Sequence, residues 1–340
     1  MNILMTGAGA PGGPGIIKCL KEIPNSKLVV ADADDKASGR YLNDFFVQIP
    51  KANNPEFVEE VLRICIKMDI QIIFPLVTNE LFIFSKNKDL FLKNNIKVIV
   101  SDYESLVIAN NKSSLYQHLK KNGISTPMHR VVSNFDDFFR AKEEIMSTKS
   151  SYCIKPSISN GSRGVRLIDS SVNEFDLLFK EKPNSLYISD EKISSLLKNN
   201  SFPELLVAEI LPGNEYTIDT IVDVKGNPVL IIPRLRTKVN GGISVAGKFE
   251  KNLSIIKYCE KIIKSLKLVG PIGIQVKEDT NGVYQILEIN PRIQGTSVAA
   301  LGIGVNLPKL AVETFTQKKV NIPEIKWDVE FIRYYNELFF

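Results

Sequence analysis

Histidine, cysteine and tryptophan are all scarce in this chain. Two histidines (His118, His129) and four scattered cysteines (Cys19, Cys65, Cys153, Cys259), with no CxxC pair, are too few for a Cys/His zinc site or a histidine-based nucleophilic triad. The cysteines are expected reduced and buried. No apolar run approaches the ~20 residues that span a bilayer, and Ile3 to Met5 is too short for a signal-peptide core. The expectation is a cytoplasmic protein with no membrane partner. The net charge of +5 is spread without any block of like charges, which fits a solvated surface and no nucleic-acid partner. A Walker A loop, GxxxxGK[ST], is also missing. Chemistry therefore falls to lysine, arginine and the carboxylates.

What is present is a clear alternation. Within 1–108, apolar runs at Asn2–Thr6, Leu28–Asp32, Gln71–Phe74 and Lys97–Val100 read as buried parallel strands. Helical spacing fills Gly15–Ile23, Pro55–Met68 and Glu80–Leu92 between them. This βαβ pattern predicts an α/β doubly wound parallel-sheet domain with ligand groups at the carboxyl ends of its strands. A second, α+β domain is expected over 109–322, with a lid at about 126–206 and a tail at 323–340. Its helices are read at Lys112–Lys121, from the cap Asn134 to Met146, at Glu174–Phe179, Ser189–Leu197, Ser254–Leu266 and Leu307–Gln317. Strands dominate Leu205–Arg236, and a hairpin is expected over Pro271–Asn290.

The hairpin carries the densest chemistry. Asn281-Gly282 between two apolar runs predicts a two-residue loop. Counting outward then sets Gln275 opposite Glu288, with Asn290 on the same face and Gly273 leaving it room. One carboxylate and two amides suit a hard cation whose remaining positions are filled by phosphate and water. A solvated hairpin face would alternate in the same way, but Arg292 just past the strand end favours a site. Separately, Tyr152-Cys-Ile-Lys155-Pro-Ser157-Ile-Ser-Asn-Gly161-Ser162-Arg-Gly164-Val delivers a lysine from a strand into a loop of serine, asparagine and glycine. Such a loop can lay backbone N–H groups on phosphate oxygens.

Together these segments resemble the ATP-grasp superfamily, most closely its carbamoyl-phosphate synthase and biotin carboxylase branch, from residue 1 to about 320. "IKPSISNGSRGV" resembles the family's lysine and glycine-rich flap, and "LEINPRIQG" its metal motif. The resemblance implies a pre-ATP-grasp domain followed by an ATP-grasp domain, with ATP and Mg²⁺ as cofactors. It implies Mg²⁺ on Glu288 and Asn290 with Gln275 assisting. Lys112 and Lys155 would bind nucleotide with Ser157, Gly161, Ser162 and Gly164. "LVAEILPGNEYTID" would supply Glu209 and Leu211 at the adenine and Glu215 on the ribose. Arg292, Lys155 and Arg236 are the cations expected to meet transferring charge. Two departures stand out: Asn111 where aspartate is usual, and "IQGTS" after Arg292, which argues against bicarbonate and biotin. The implied reaction activates a carboxylate as an acyl phosphate and couples it to an amine, both small molecules, with homodimerisation left open.

Substrate groups are expected at Gly12, Gly13, Thr78 and Glu80, and at Arg234 and Arg236, which share one strand face. The rival reading starts from Gly7-Ala-Gly-Ala-Pro-Gly-Gly13, where GxGxxG follows a strand, and Asp32 ends the next one. That pattern is close to an NAD(P) fingerprint and suggests an oxidoreductase or epimerase. It leaves residues 150–300 unexplained and lacks a YxxxK pair. A non-catalytic ATP-binding module is the third reading, opposed by the set Lys155, Glu288, Asn290 and Arg292.

Overall fold

Five short strands, β1 (Asn2–Thr6), β2 (Lys27–Asp32), β3 (Phe46–Gln48), β4 (Ile72–Pro75) and β5 (Lys97–Val98), pair in parallel in the order β3-β2-β1-β4-β5. Their runs of isoleucine, valine and leucine are buried on both faces, as helices covering a parallel sheet require. The chain order reverses between β1 and β4, so Thr6 and Pro75 end side by side at the switch point where such sheets bind ligands. The expected helix over 80–92 is two helices, Thr78–Lys86 and Lys88–Lys93. They part at Asn87, whose side chain donates to the Ile83 carbonyl at 2.9 Å and competes with the helical ladder.

The computed structural model describes residues 1–159, 161–180, 185–316 and 320–340. Asn160 of the glycine-rich loop and Gln317, the expected end of the last helix, lie outside the described residues. Two compact units emerge: 1–109, 215–276 and 288–340 form the first, and 110–214 with 277–287 the second. In the second unit, β6 (His129–Val132), β7 (Ser151–Pro156), β8 (Arg166–Asp169) and β9 (Leu205–Glu209) form an antiparallel sheet ordered β6-β9-β7-β8. Helix Phe135–Met146 packs on it through Phe138, Ala141 and Ile145. Asn134 caps that helix, its Oδ1 accepting from Asp137 N–H at 2.9 Å.

The first unit also holds most of a six-stranded sheet. Its strands are β10 (Glu215–Val222), β11 (Pro228–Asn240), β12 (Ile243–Phe249), β13 (Gly270–Glu278), β14 (Tyr284–Asn290) and β15 (Glu330–Ile332), ordered β14-β13-β10-β11-β12-β15. The antiparallel partner β12 and the short edge strand β15 had no signal in the sequence, where charged and glycine residues interrupt the alternation. Helix Leu253–Leu266 buries Ile255, Cys259, Ile262, Ile263 and Leu266, the stripe its spacing predicts save Ile256, which is half-buried, and ends at Lys267 with φ +52°. All four cysteines are buried thiols, and burial pushes Cys19 and Cys65 up to about 12. Among the described residues no single helix is long and apolar enough to cross a membrane.

Candidate functional site

In the first unit, β14 ends in the polar run where the site is expected. Glu288 and Asn290 share a face, and Asn290 Nδ2 donates to Glu288 Oε1 at 3.1 Å. An amide that donates through its nitrogen keeps its oxygen as an acceptor for a cation. Arg292 follows at once, its backbone N–H on the Asn290 carbonyl at 2.7 Å. Its Nη1 donates to the Ile293 carbonyl at 2.9 Å and its Nε to Thr78 Oγ1 at 3.3 Å. Burial pushes the guanidinium pKa down, and the charge of Glu288 opposes that fall. Arg292 therefore reaches the switch-point end of the parallel sheet. Beside Thr78 there, buried Glu80 accepts from Thr6 Oγ1 at 2.5 Å. Burial, with help from the charge of Asp32, raises the Glu80 carboxyl to about 7 against the pull of the Thr6 bond.

Gln275 is half-buried on β13. The hairpin turn differs from expectation by one residue. Asp279 N–H donates to the Val283 carbonyl at 2.9 Å and Gly282 N–H to the Asp279 carbonyl at 3.2 Å, with Gly282 at φ +75°. This is a three-residue loop whose left-handed glycine makes a bulge, in place of the two-residue loop expected. The space left by Gly273 serves another residue than Asn290: a Cβ there would lie 2.2 Å from Gln294 Cδ.

The glycine turn after β1 is a packing surface. A Cβ on Gly12 would lie 2.3 Å from Gly295 Cα, and one on Gly13 would lie 2.5 Å from the Ala8 carbonyl oxygen. Asp32 is spent on the same turn, accepting from Gly9 N–H at 2.7 Å and Asp34 N–H at 2.9 Å. Arg234 and Arg236 face inward. Arg234 is 0% exposed and paired with Asp219, while Arg236 reaches Glu215 and the Gly242 carbonyl.

In the second unit, buried Lys112 starts helix Lys112–Lys121, and its Nζ donates to the Ser159 carbonyl at 3.2 Å. Asn111 caps that helix through its side chain, a task the aspartate expected there would also perform. Lys155 projects from β7 with no hydrogen bond or ion pair among the described residues. Ser157 is buried, its hydroxyl bonded to that of Ser113. Gly161, Ser162 and Gly164 all take positive φ, at +63°, +59° and +75°, the left-handed backbone that glycine adopts without strain. Gly164 has a second reason to be glycine: a Cβ would meet Pro156 Cγ at 2.5 Å. Glu209 ends β9, accepting from Met128 N–H at 2.8 Å and pairing with Lys149 at 2.6 Å, and Leu211 is buried just beyond.

Residues 201–334 match the family model described as ATP-grasp in the biosynthetic pathway with Ter operon, and residues 3–99 match the PylC-like N-terminal domain. The fold is similar to N5-carboxyaminoimidazole synthetase from Staphylococcus aureus complexed with ADP, at TM-score 0.71 and 16% identity over 96% of this chain and 79% of that one. It is similar to biotin carboxylase from Campylobacter jejuni at TM-score 0.69 and 16% identity, over 97% and 74%. The chain carries an ATP-grasp family match over residues 201–334 and shares the fold of these enzymes. In sequence it is 26% identical to the carbamoyl phosphate synthase large chain of Clostridium acetobutylicum over 254 residues, 71% of this chain. It spans about a fifth of the length of the curated relatives it matches, 22% of that one and 20% of the next.

Beside these matches the oxidoreductase reading finds no support. Gly12 of the turn that would cradle a dinucleotide is backed by the chain's own Gly295, and Asp32 holds Gly9 of that turn. Sequence reasoning also missed Thr6, Asp219, Thr296 and Ser297, single hydroxyls and one carboxylate in apolar strands or loops with no motif spacing. Among the described residues no three His, Cys, Asp or Glu side chains cluster for a metal. A donor set of one carboxylate and amide oxygens fits Mg²⁺ that takes further ligands from phosphates, and does not fit zinc.

Proposed function

We propose that the chain is an ATP-dependent ligase that activates a carboxylate as an acyl phosphate and couples it to an amine, releasing ADP and phosphate. The observation that carries this reading is the run from Glu288 to Arg292, which sets a carboxylate, an amide and a guanidinium at one strand end. Glu288 and Asn290, with Gln275, are the residues that would hold Mg²⁺, which supplies charge neutralisation on phosphate oxygens. Lys112 and Lys155 are proposed as cations for the nucleotide phosphates, with backbone N–H groups from Gly161, Ser162 and Gly164 beside them. Glu209, Leu211 and Glu215 are proposed for the adenosine part.

Phosphoryl transfer asks a protein for positioning and charge more than for bond chemistry. Arg292 has its Nε held by Thr78 and its Nη1 by the Ile293 carbonyl, so little freedom is lost when it meets a carboxylate or a transferring phosphate. Thr78 beside it, and Glu80 in the first turn of the helix that Thr78 begins, are polar groups for the organic substrates. Arg236 acts at second hand by fixing Glu215, and neither Gly12 nor Gly13 is needed as a ligand group. Phosphorus NMR of a mixture of protein, ATP, Mg²⁺ and paired carboxylates and amines is expected to show ADP and phosphate accumulating. Accumulation of AMP and pyrophosphate would overturn the acyl-phosphate mechanism.

A further inference from the structure

We infer that the buried pair Arg234–Asp219 is a positioning device: it fixes the loop 293–297, and through that loop the guanidinium of Arg292. The two residues are diagonal neighbours on antiparallel strands, since Arg234 faces Thr217 and Asp219 lies two further along β10. Arg234 is 0% exposed, and its Nε and Nη2 donate to Asp219 Oδ2 at 3.2 and 3.1 Å. The ring of Phe331 lies 5.4 Å from its Cζ. The pair's remaining capacity goes to the loop. Arg234 Nη2 donates to Thr296 Oγ1 at 2.7 Å, and Asp219 Oδ1 accepts from Ser297 Oγ at 2.6 Å and Gln294 Nε2 at 3.4 Å.

Every residue from Gln294 to Ser297 is thereby anchored, because Gly295 is held against Gly12 by backbone contact. This loop has few ladder bonds of its own, so its shape is set by side chains reaching in from β10 and β11. Arg292 depends on it directly through the Ile293 carbonyl. Stability alone does not explain the pair. A buried ion pair is commonly matched or bettered by apolar residues of similar volume, and Arg234 Nη1 is left without an acceptor. What apolar residues cannot supply is three directional bonds to one loop. Arg234 and Asp219 thus act through Arg292 and touch no substrate.

The kinetic part rests on the ligase reading; the structural part does not. The test compares wild type with the double variant Asp219→Leu/Arg234→Met, which leaves no charge buried alone, and with Arg234→Lys. Amide hydrogen exchange of the segment 291–299, read by mass spectrometry, is expected to rise roughly tenfold in the double variant and less in Arg234→Lys. ATP–Mg²⁺ affinity by calorimetry is expected to stay within about twofold, while kcat for ADP release falls about 10²-fold, the scale of a 1 Å misplacement of a reacting group. Arg234→Lys should recover part of kcat. Unchanged exchange and kcat in a folded double variant would overturn the inference. Should the double variant not fold, the same readouts on Arg234→Lys decide. If wild type releases no ADP with any substrate pair, the ligase reading falls and the exchange data alone judge the device.

Discussion

Gly12 shows how a single position can be read two ways. In the sequence it is the central glycine of a nucleotide-like fingerprint; in the fold it is where two backbones touch. A valine there would need space that Gly295 occupies, so Gly12→Val is expected to destabilise the protein by about 1–3 kcal/mol or more, seen as a lower urea midpoint. A variant of wild-type stability with only a raised KM would restore the ligand-contact reading. Glu80 gives a second test at this scale. Its carboxyl titrates near 7 folded against 4.5 as the ordinary value, so ionisation is harder in the fold than in the unfolded chain. The stability this group contributes is full below about pH 4.5 and is lost as pH rises through about 7, a span worth roughly 3 kcal/mol at most. Asp32, whose carboxylate also holds the Gly9 turn, is the charged group whose field adds to that rise. Urea unfolding at about pH 5 and about pH 8 should show Glu80→Gln declining less than wild type across that range. Equal declines would mean that Glu80 is ionised throughout.

At the scale of elements, the lysine strand and its loop work as one piece. β7 holds Lys155 in register opposite Leu206, and the loop beyond turns through left-handed residues to Val165. Lys155 has no partner among the described residues, unlike Lys112 with its bond to Ser159. A cation without a local partner is poised for an anionic ligand, so Lys155→Met is expected to weaken ATP–Mg²⁺ binding about tenfold or more, a loss of ~1.4 kcal/mol, by calorimetry. Unchanged affinity would return the loop to the status of a connector. The hairpin shows the opposite lesson. Its two apolar runs and Asn281-Gly282 are legible, but the choice between a two- and a three-residue loop is made by Asp279. The Asp279 carboxylate accepts from the N–H groups of Asn281 and Val283 and pulls the turn closed one residue earlier.

Across the whole molecule, a ligand that binds only the folded state raises its stability by about 2.7 kcal/mol at a hundredfold excess over Kd. A thermal-shift series is expected to show stabilisation by ATP–Mg²⁺ and none by NAD⁺ or NADPH; the reverse would revive the dinucleotide reading. Much of this architecture was readable beforehand. The strand β1, the cap at Asn134, the stripe of Leu253–Leu266 and the adjacency of Glu288, Asn290 and Arg292 all follow from periodicity and capping, which act within a few residues. The long-range juxtapositions were not legible. That Gly12 meets Gly295, that Thr78 meets Arg292, and that Arg234 spends its charge on Asp219 depends on how strands far apart in sequence come together. Local pattern assigned Arg234 and Arg236 to one strand face as a grip for a substrate anion, because two cations at spacing two read alike whether that face meets a ligand or a buried carboxylate. Residue types and spacing fixed the chemistry available to the chain; packing of the sheets decided which of those groups are spent inside and which are left for a ligand.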